Sequence, residues 1–476
     1  MEKKNKRGSF TGSIGFVLAA AGSAVGLGNI WRFPYLAAKD GGGLFLLFYL
    51  VLALTFGFAL LTTEIAIGRK TGQSAMTAYG TLHARFKPLG VAASLVPAII
   101  LPYYCVIGGW VLKYLWVYLT GSAHAAVADG YFTSFITAQW SPIIWFIIFL
   151  AATLFVVYKG VDKGIERFSR VLMPILLALI CAIAVFSLTL SHTDEAGVTR
   201  TGLQGLKVYV VPDFTGLTLN KFMIVLTDAL GQLFYSISVA MGIMITYGSY
   251  VKKETNLVKS VNQIEFFDTL VAFLAGLMIV PAVYTFMGTE GMSAGPSLMF
   301  ISLPKVFDAM GAIGTVVVIV FFVTVTFAAV TSSVSIMEAV VSSVMDKFRM
   351  ERKPATLVVA AITLILGVVV CLGYNLIYFE LMLPNGSVGQ VLDVMDYVSN
   401  NILMPVVSIS TCILVGWVLK PASMIEEITL GGYRFSREKL YVVMVKVITP
   451  VILLLLLLQS LGILDLIFEF IGDLFT

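Results

Sequence analysis

The chain has 476 residues, of which 59% are hydrophobic and 12% charged, with a formal net charge of +4. Soluble domains carry roughly 25% charged residues, so this composition excludes a soluble enzyme or a nucleic-acid binder and points to a polytopic membrane protein. The excess of basic residues then bears on topology rather than on a polyanionic partner.

The first apolar segment, 13–38, contains the stretch around which the rest is organised, Gly22 to Pro34. Gly22, Gly26, Gly28 and Pro34 all weaken a helix, and Arg32 places a charge in the same span. In hydrocarbon, broken backbone is tolerated only where it is buried in protein or lines a cavity. One reading is therefore an interrupted helix at 22–28 facing a binding site. The other is close helix packing through small residues. Residues 13–38 do not decide between them.

Further spans are expected at 42–68, 89–120, 142–158, 172–190, 222–248, 261–287, 313–345, 355–374, 391–418 and 440–465, which makes eleven. Every second loop is basic: 1–7, 69–87, 159–170, 252–253, 347–353 and 434–439. The positive-inside rule puts these loops and the N-terminus in the cytoplasm and the tail 466–476 outside. The outer loops 191–221 and 288–312 are long, and the second can hold short helices. Met1–Gly8 is basic, but the apolar run after it is too long for a signal peptide and has no clear cleavage site. Cys105, Cys181, Cys371 and Cys412 fall in apolar segments and read as buried hydrophobes, not a disulfide framework. His83, His124 and His192 fall in predicted loops, so a histidine metal site is not expected.

A second interruption is expected in span six, where Ser236-Ile237-Ser238-Val239-Ala240-Met241-Gly242 gathers small and hydroxylated residues. The two irregular spans are five apart. A repeat with an odd number of spans inserts in inverted orientation, the layout of secondary transporters with a site at two broken helices. Spans 1–5 (13–190) and 6–10 (222–418) would be the repeats, with 440–465 as an additional span.

The run Gly26-Leu27-Gly28-Asn29-Ile30-Trp31-Arg32-Phe33-Pro34, then Gly41-Gly42-Gly43 and Glu64-Ile65-Ala66-Ile67-Gly68-Arg69, resembles the neurotransmitter:sodium symporter family. So do Gly231-Gln232, Ile245-Thr246-Tyr247-Gly248-Ser249-Tyr250 and Thr331-Ser332-Ser333. The matches run in order through spans one to ten. The resemblance implies an all-α membrane protein with the LeuT fold, a 5+5 inverted repeat broken in spans 1 and 6 plus one extra span. It also implies a Na⁺-coupled amino-acid symporter of the cytoplasmic membrane, surrounded by lipid and carrying out no covalent chemistry.

Residue roles follow from the same resemblance. The amides of Leu27 and Gly28 and the hydroxyl of Tyr104 are expected at the substrate carboxylate. Tyr103 reads as a packed aromatic. Relatives that carry monoamines have an Asp where Gly26 stands, so Gly26 favours an amino acid. The first sodium site would comprise the Ala24 carbonyl, Asn29, Ser236 and Asp268, with the substrate carboxylate as a further ligand, since Na⁺ prefers oxygen. The second would comprise the carbonyls of Gly22, Val25 and Ala328 with the hydroxyls of Thr331 and Ser332. In isolation Ser236 reads as bonded to its own helix, and Thr331-Ser332 as routine packing.

Ser238, Val239, Ala240 and Met241 should face Ile100, Ser23, Ser332 and Ile336 in an uncharged pocket that suits a neutral, hydrophobic or aromatic side chain. Arg32 and Asp396 should approach one another above the site, with Tyr235 and Tyr104 as its lid. Arg7 and Asp346 should pair below it, near Tyr250 and Ser249, and Phe10 stands where many relatives have Trp. Glu64 should hydrogen-bond the broken backbone of span six, whereas Glu338 has no assigned role. The positions matching the chloride site of animal relatives are Tyr49, Gln232, Ser236 and Ala272. Ala272 replaces a Ser, and Asp268 replaces an Asn one turn earlier. Asp268 would supply the negative charge itself, so no chloride is expected. A membrane receptor that does not transport, an ion channel and a proton-coupled carrier are the rival readings.

Overall fold

The computed structural model describes residues 8–194, 197–288 and 298–464. Arg7 and the tail 466–476 lie outside the described residues. Nine described helices are long and apolar enough to cross a membrane, or ten spans if the bent pair Ser13–Ala24 and Gly28–Lys39 counts as one. The sixth predicted span is absent from that count because it is split into Leu219–Ser236 and the short helix Ile243–Gly248.

The interruption in span 1 is real. The helix leaves its regular path at Val25, whose ψ is 88°, and the two pieces meet at a bend of 55°. Of the two sequence readings, the broken helix is therefore the one adopted. In span 6 the chain crosses the break with Ser238, Ala240 and Gly242 at φ of 54°, 61° and 65°. The left-handed region costs an L-residue roughly 1–2 kcal/mol, so two non-glycine residues there need support. Glu64 supplies part of it: its carboxylate accepts the Ala240 N–H at 2.5 Å.

Span 2, Gly43–Thr71, can present Glu64 there because it touches span 6 backbone to backbone. A Cβ on Gly68 would stand 1.9 Å from the Ile245 carbonyl, and one on Gly248 2.4 Å from that of Ile65. Any side chain at either glycine would push the spans apart and pull the carboxylate off the break.

Span 3 (Ala84–Leu119) and span 8 (Ala312–Phe348) pack along one another and form the wall facing the breaks. Span 7 is Leu257–Met287, span 9 Arg352–Leu372, span 10 Val391–Val418 and span 11 Glu438–Ser460. Span 4, Ser141–Tyr158, matches its predicted bounds to within a residue. Span 5 does not: it runs Val161–Leu188 rather than 172–190. Asp162, Lys163, Glu166 and Arg167 made its first turns read as loop. Glu166 is nevertheless buried, because its carboxylate accepts the Thr11 N–H at 2.8 Å and pairs with Arg170 at 2.6 Å. The loop 191–221 holds a two-stranded ribbon, Ser191–Thr193 with Thr199–Thr201, and the helix Gly202–Val210. The described part of the loop 288–312 contains the short helix Leu303–Ala309.

Candidate substrate and sodium site

The two breaks lie opposite one another and enclose a cavity lined by Ser23, Gly26, Tyr104, Ser238, Met241 and Ile336, among others. At the break of span 1 the Leu27 N–H donates to the Tyr104 hydroxyl at 3.3 Å. Both groups can turn toward an anion, and a helix break of this kind presents free N–H groups and a positive helix end. Gly26 stands beside them with no room for a side chain, since a Cβ would lie 2.7 Å from Ser332 Oγ and 3.1 Å from the Tyr104 hydroxyl. Tyr235 covers Gly28, where a Cβ would stand 2.6 Å from its ring. Ile100, Met241 and Ile336 make the apolar side of the cavity, and no charged residue among the described residues lines it.

Not every expected lining residue reaches this cavity. Val239 and Ala240 are fully buried outside its lining. The left-handed turn at Ala240 points its amide away toward Glu64. Ser236 and Leu27 likewise are not part of the lining; Ser236 faces the neighbouring carboxylate instead. The cavity measures about 20 Å³, room for about one water, so an amino-acid side chain enters only if flexible groups such as Met241 move.

Asn29, Ser236 and Asp268 converge. Asp268 Oδ1 accepts from Ser236 Oγ at 2.6 Å and from Asn29 Nδ2 at 2.9 Å, and Oδ2 accepts from the Tyr49 hydroxyl at 3.1 Å. Asp268 is 1% exposed, and a buried carboxylate needs compensating donors or a cation. Asn29 Oδ1 is buried without a hydrogen-bond partner among the described residues. An orphaned acceptor beside a buried carboxylate and a hydroxyl is a donor set that fits a hard cation. Three of the four positions that match the chloride site are occupied otherwise. Tyr49 donates to Asp268, Ser236 donates to Asp268, and Gln232 Nε2 donates to the Gly28 carbonyl at 3.1 Å.

The second oxygen cluster lies on the other side of the span 1 break. Ser332 Oγ lies 3.4, 3.0 and 3.3 Å from the carbonyls of Gly22, Ser23 and Val25. Thr331 Oγ1 lies 3.0 Å from the Ala328 carbonyl. Ser332 thus ties the Gly22 and Val25 carbonyls of span 1 to span 8, where Thr331 and Ala328 are its near neighbours. A cation there would take the oxygen lone pairs while the two hydroxyl protons turn outward.

The two ends of the path differ. At the Arg32 end a polar vestibule of about 230 Å³ leads down to Arg32 and Tyr235. Arg32 and Asp396 form no ion pair among the described residues. Asp396 is held instead by the Tyr103 hydroxyl at 3.0 Å and by Asn400 at 2.6 Å. Tyr103 is therefore more than a packed aromatic; the polar pair Asn400-Asn401 within an apolar span was the sequence signal for its network. At the opposite end Phe10 is buried against Phe16, Tyr247 and Tyr250, and its N–H donates to the Tyr250 carbonyl at 3.1 Å. Asp346 accepts from the Ser74 N–H at 2.7 Å and from its hydroxyl at 2.6 Å. The expected partner Arg7 lies outside the described residues. Glu338 has a partner after all: Arg352 binds both its oxygens, at 2.6 and 2.8 Å, and the Tyr250 hydroxyl donates to it at 2.5 Å. That pair joins spans 8 and 9.

The chain matches the model of the sodium:neurotransmitter symporter family over residues 7–134 and 138–466. It is 33% identical over 463 residues to an uncharacterised sodium-dependent transporter of Bacillus subtilis, covering 95% of this chain and 97% of that one. It is 31% identical over 455 residues to an uncharacterised sodium-dependent transporter of Methanocaldococcus jannaschii, covering 90% and 86% of the two chains. Its fold superimposes on the crystal structure of MhsT in complex with L-phenylalanine with a TM-score of 0.83 at 33% identity, over 95% of this chain and all of that one. The family model spans nearly the whole chain, and the relatives it resembles are sodium-dependent transporters. The protein is a sodium-dependent symporter, not an enzyme, and it belongs to the sodium:neurotransmitter symporter family.

Proposed function

We propose that the protein carries a neutral, hydrophobic or aromatic L-amino acid into the cell together with Na⁺, without chloride. The observation that carries this reading is the Leu27 amide facing the Tyr104 hydroxyl across the break, 3.3 Å apart, above an uncharged wall. The two donors would hold a carboxylate, and Ile100, Met241 and Ile336 would hold an apolar side chain. Gly26 leaves an amine without a carboxylate partner at that position, which disfavours decarboxylated amines. The L-phenylalanine bound in the MhsT structure is consistent with this class.

Two Na⁺ ions would accompany the substrate. One would bind to the Ala24 carbonyl, Asn29 Oδ1, Ser236, Asp268 and the substrate's own carboxylate. The other would bind at Gly22, Val25, Ala328, Thr331 and Ser332. Sharing the carboxylate makes the coupling direct, because each ligand must raise the other's affinity by the same factor. Asp268 would replace chloride: two negative charges a few ångströms apart repel strongly in a low dielectric, and two of the donors that would bind chloride, Tyr49 and Ser236, already serve the carboxylate.

The basic loops argue for a cytoplasmic N-terminus and an extracellular C-terminus in the cell membrane. The vestibule at Arg32 is then the outer entrance, and Phe10 seals the inner exit. Thermal-shift measurement of the purified protein against neutral, acidic and basic amino acids and an arylalkylamine, with Na⁺ or K⁺, tests the assignment. Stabilisation by neutral L-amino acids only in Na⁺ is expected. Stabilisation by lysine, glutamate or the amine, or equal shifts in K⁺, would overturn it.

A further inference from the structure

We propose that a groove near the Phe10 end of the molecule binds an anionic phospholipid of the cytoplasmic leaflet. The groove encloses about 820 Å³ between the helix Ala75–Leu82, the start of span 3 and the end of span 8. Among the described residues, its charged lining residues are Lys87 and Lys347. Neither forms an ion pair among the described residues, whereas Lys39, Lys253 and Lys305 each do. The nearby carboxylate of Asp346 is spent on Ser74 and Thr77.

Packing aims one of the two cations. The stem of Lys87 lies on Gly80, where a Cβ would stand 2.7 Å from the lysine Cγ. Below the lysines the wall turns apolar: Val91 and Leu95, one turn apart on span 3, are 41% and 48% exposed. A pair of cations without an ion-pair partner among the described residues, above an exposed apolar slot, is complementary to a molecule with an anionic head and a hydrocarbon tail. A free anion would use the lysines and leave the slot bare, and a zwitterionic lipid would bring no net charge to them. Basic residues at a membrane surface attract anionic headgroups by this mechanism.

The site touches the transport core. The helix that forms one side of the groove continues from Ser74, which is bound to Asp346 of span 8. Its Ala75 presses on the break of span 6, where a Cβ on Gly242 would stand 2.8 Å from the Ala75 Cβ. A lipid bridging this helix to spans 3 and 8 would brace the wall behind the break.

Naming the leaflet rests on the orientation proposed above; the binding itself does not. The test uses purified protein in micelles, without substrate or Na⁺, titrated with phosphatidylglycerol, phosphatidylcholine or inorganic phosphate. Retained lipid is read by native mass spectrometry, and stability by thermal melting. Phosphatidylglycerol is expected to be retained and to raise the melting temperature by several degrees, while the other two do neither. Lys87→Gln and Lys347→Gln should each weaken phosphatidylglycerol binding about five-fold, and the double variant more than ten-fold. Gly80→Ala keeps both charges but displaces Lys87, and should weaken binding to an intermediate degree. Equal retention by wild type and all four variants would overturn the proposal. So would an equal response to phosphatidylcholine, which means solvation of apolar surface, or to inorganic phosphate, which means a free-anion site. The protein's failure to transport amino acids would leave these readouts unaffected.

Discussion

Replacing Tyr104 by Phe removes one oxygen from a side chain that is 2% exposed and otherwise keeps the packing of span 3. In the substrate complex the hydroxyl should donate to the carboxylate, a charge-assisted bond worth about 1.5–3 kcal/mol. In the empty carrier the same oxygen accepts the Leu27 N–H at 3.3 Å, a long neutral bond worth about 0.5–1 kcal/mol. Its loss destabilises the empty state and offsets part of the deficit. The net penalty is about 1–2 kcal/mol, or roughly 5- to 30-fold in affinity. Equilibrium binding of radiolabelled L-phenylalanine at saturating Na⁺ reads this directly, with thermal melting of the empty variant as the control for folding. Tyr104 meets the second sodium cluster only through the Ser332 hydroxyl, so most of the Na⁺-induced stabilisation without substrate should survive. An unchanged dissociation constant in a folded variant would show that Tyr104 only packs, and the carboxylate would have to be sought elsewhere.

Na⁺-driven uptake should be unaffected when gluconate replaces chloride, whereas Asp268→Asn should lose most activity and regain part of it in chloride, more so with Ala272→Ser; chloride dependence of the wild type would contradict the role given to Asp268. Glu64→Ala removes the acceptor for the Ala240 N–H and should lower stability by about 1–3 kcal/mol, read as a lower melting temperature together with weaker substrate binding; an unchanged melting temperature would mean that the left-handed turn at Ser238 and Ala240 holds itself. Just past the end of span 1, burial and the nearby Asp228 carboxylate push the Asp40 carboxyl up to about 7, with Lys39 and Lys221 opposing. A raised carboxyl pKa favours the folded state at low pH and loses that contribution as pH rises through 7, so melting temperature should fall between pH 5 and 8 in the wild type and less steeply in Asp40→Asn. Identical slopes would refute the assignment.

The irregular stretches were legible because their causes are local, glycines and a proline in span 1 and hydroxyls and small residues in span 6, although in span 1 the residues alone left a broken helix and close packing open. The convergence of Asn29, Ser236 and Asp268 was reached through family resemblance, since no local pattern brings together residues more than 200 positions apart. The partner of Glu338 was not legible, and of the partners of Asp396 only Asn400 left a signal, as a polar residue in an apolar span. Arg352 lies at the start of span 9, where a basic residue reads as an interfacial anchor, and the Tyr103 hydroxyl is one oxygen in an apolar run. The first turns of span 5 were missed for the opposite reason: Glu166 looks solvated in sequence, yet it is 1% exposed and tied to Thr11. Charge near a span end marks a loop only when it lacks a partner, and partners are supplied by the fold.

Uptake of L-phenylalanine into proteoliposomes under an inward Na⁺ gradient, with impermeant gluconate as the anion, tests the central claim most directly. Accumulation above the external concentration, abolished when K⁺ replaces Na⁺ or when an ionophore dissipates the gradient, is the predicted result. Binding of L-phenylalanine without any uptake, or uptake of equal extent in K⁺, would contradict a sodium-coupled amino-acid symporter.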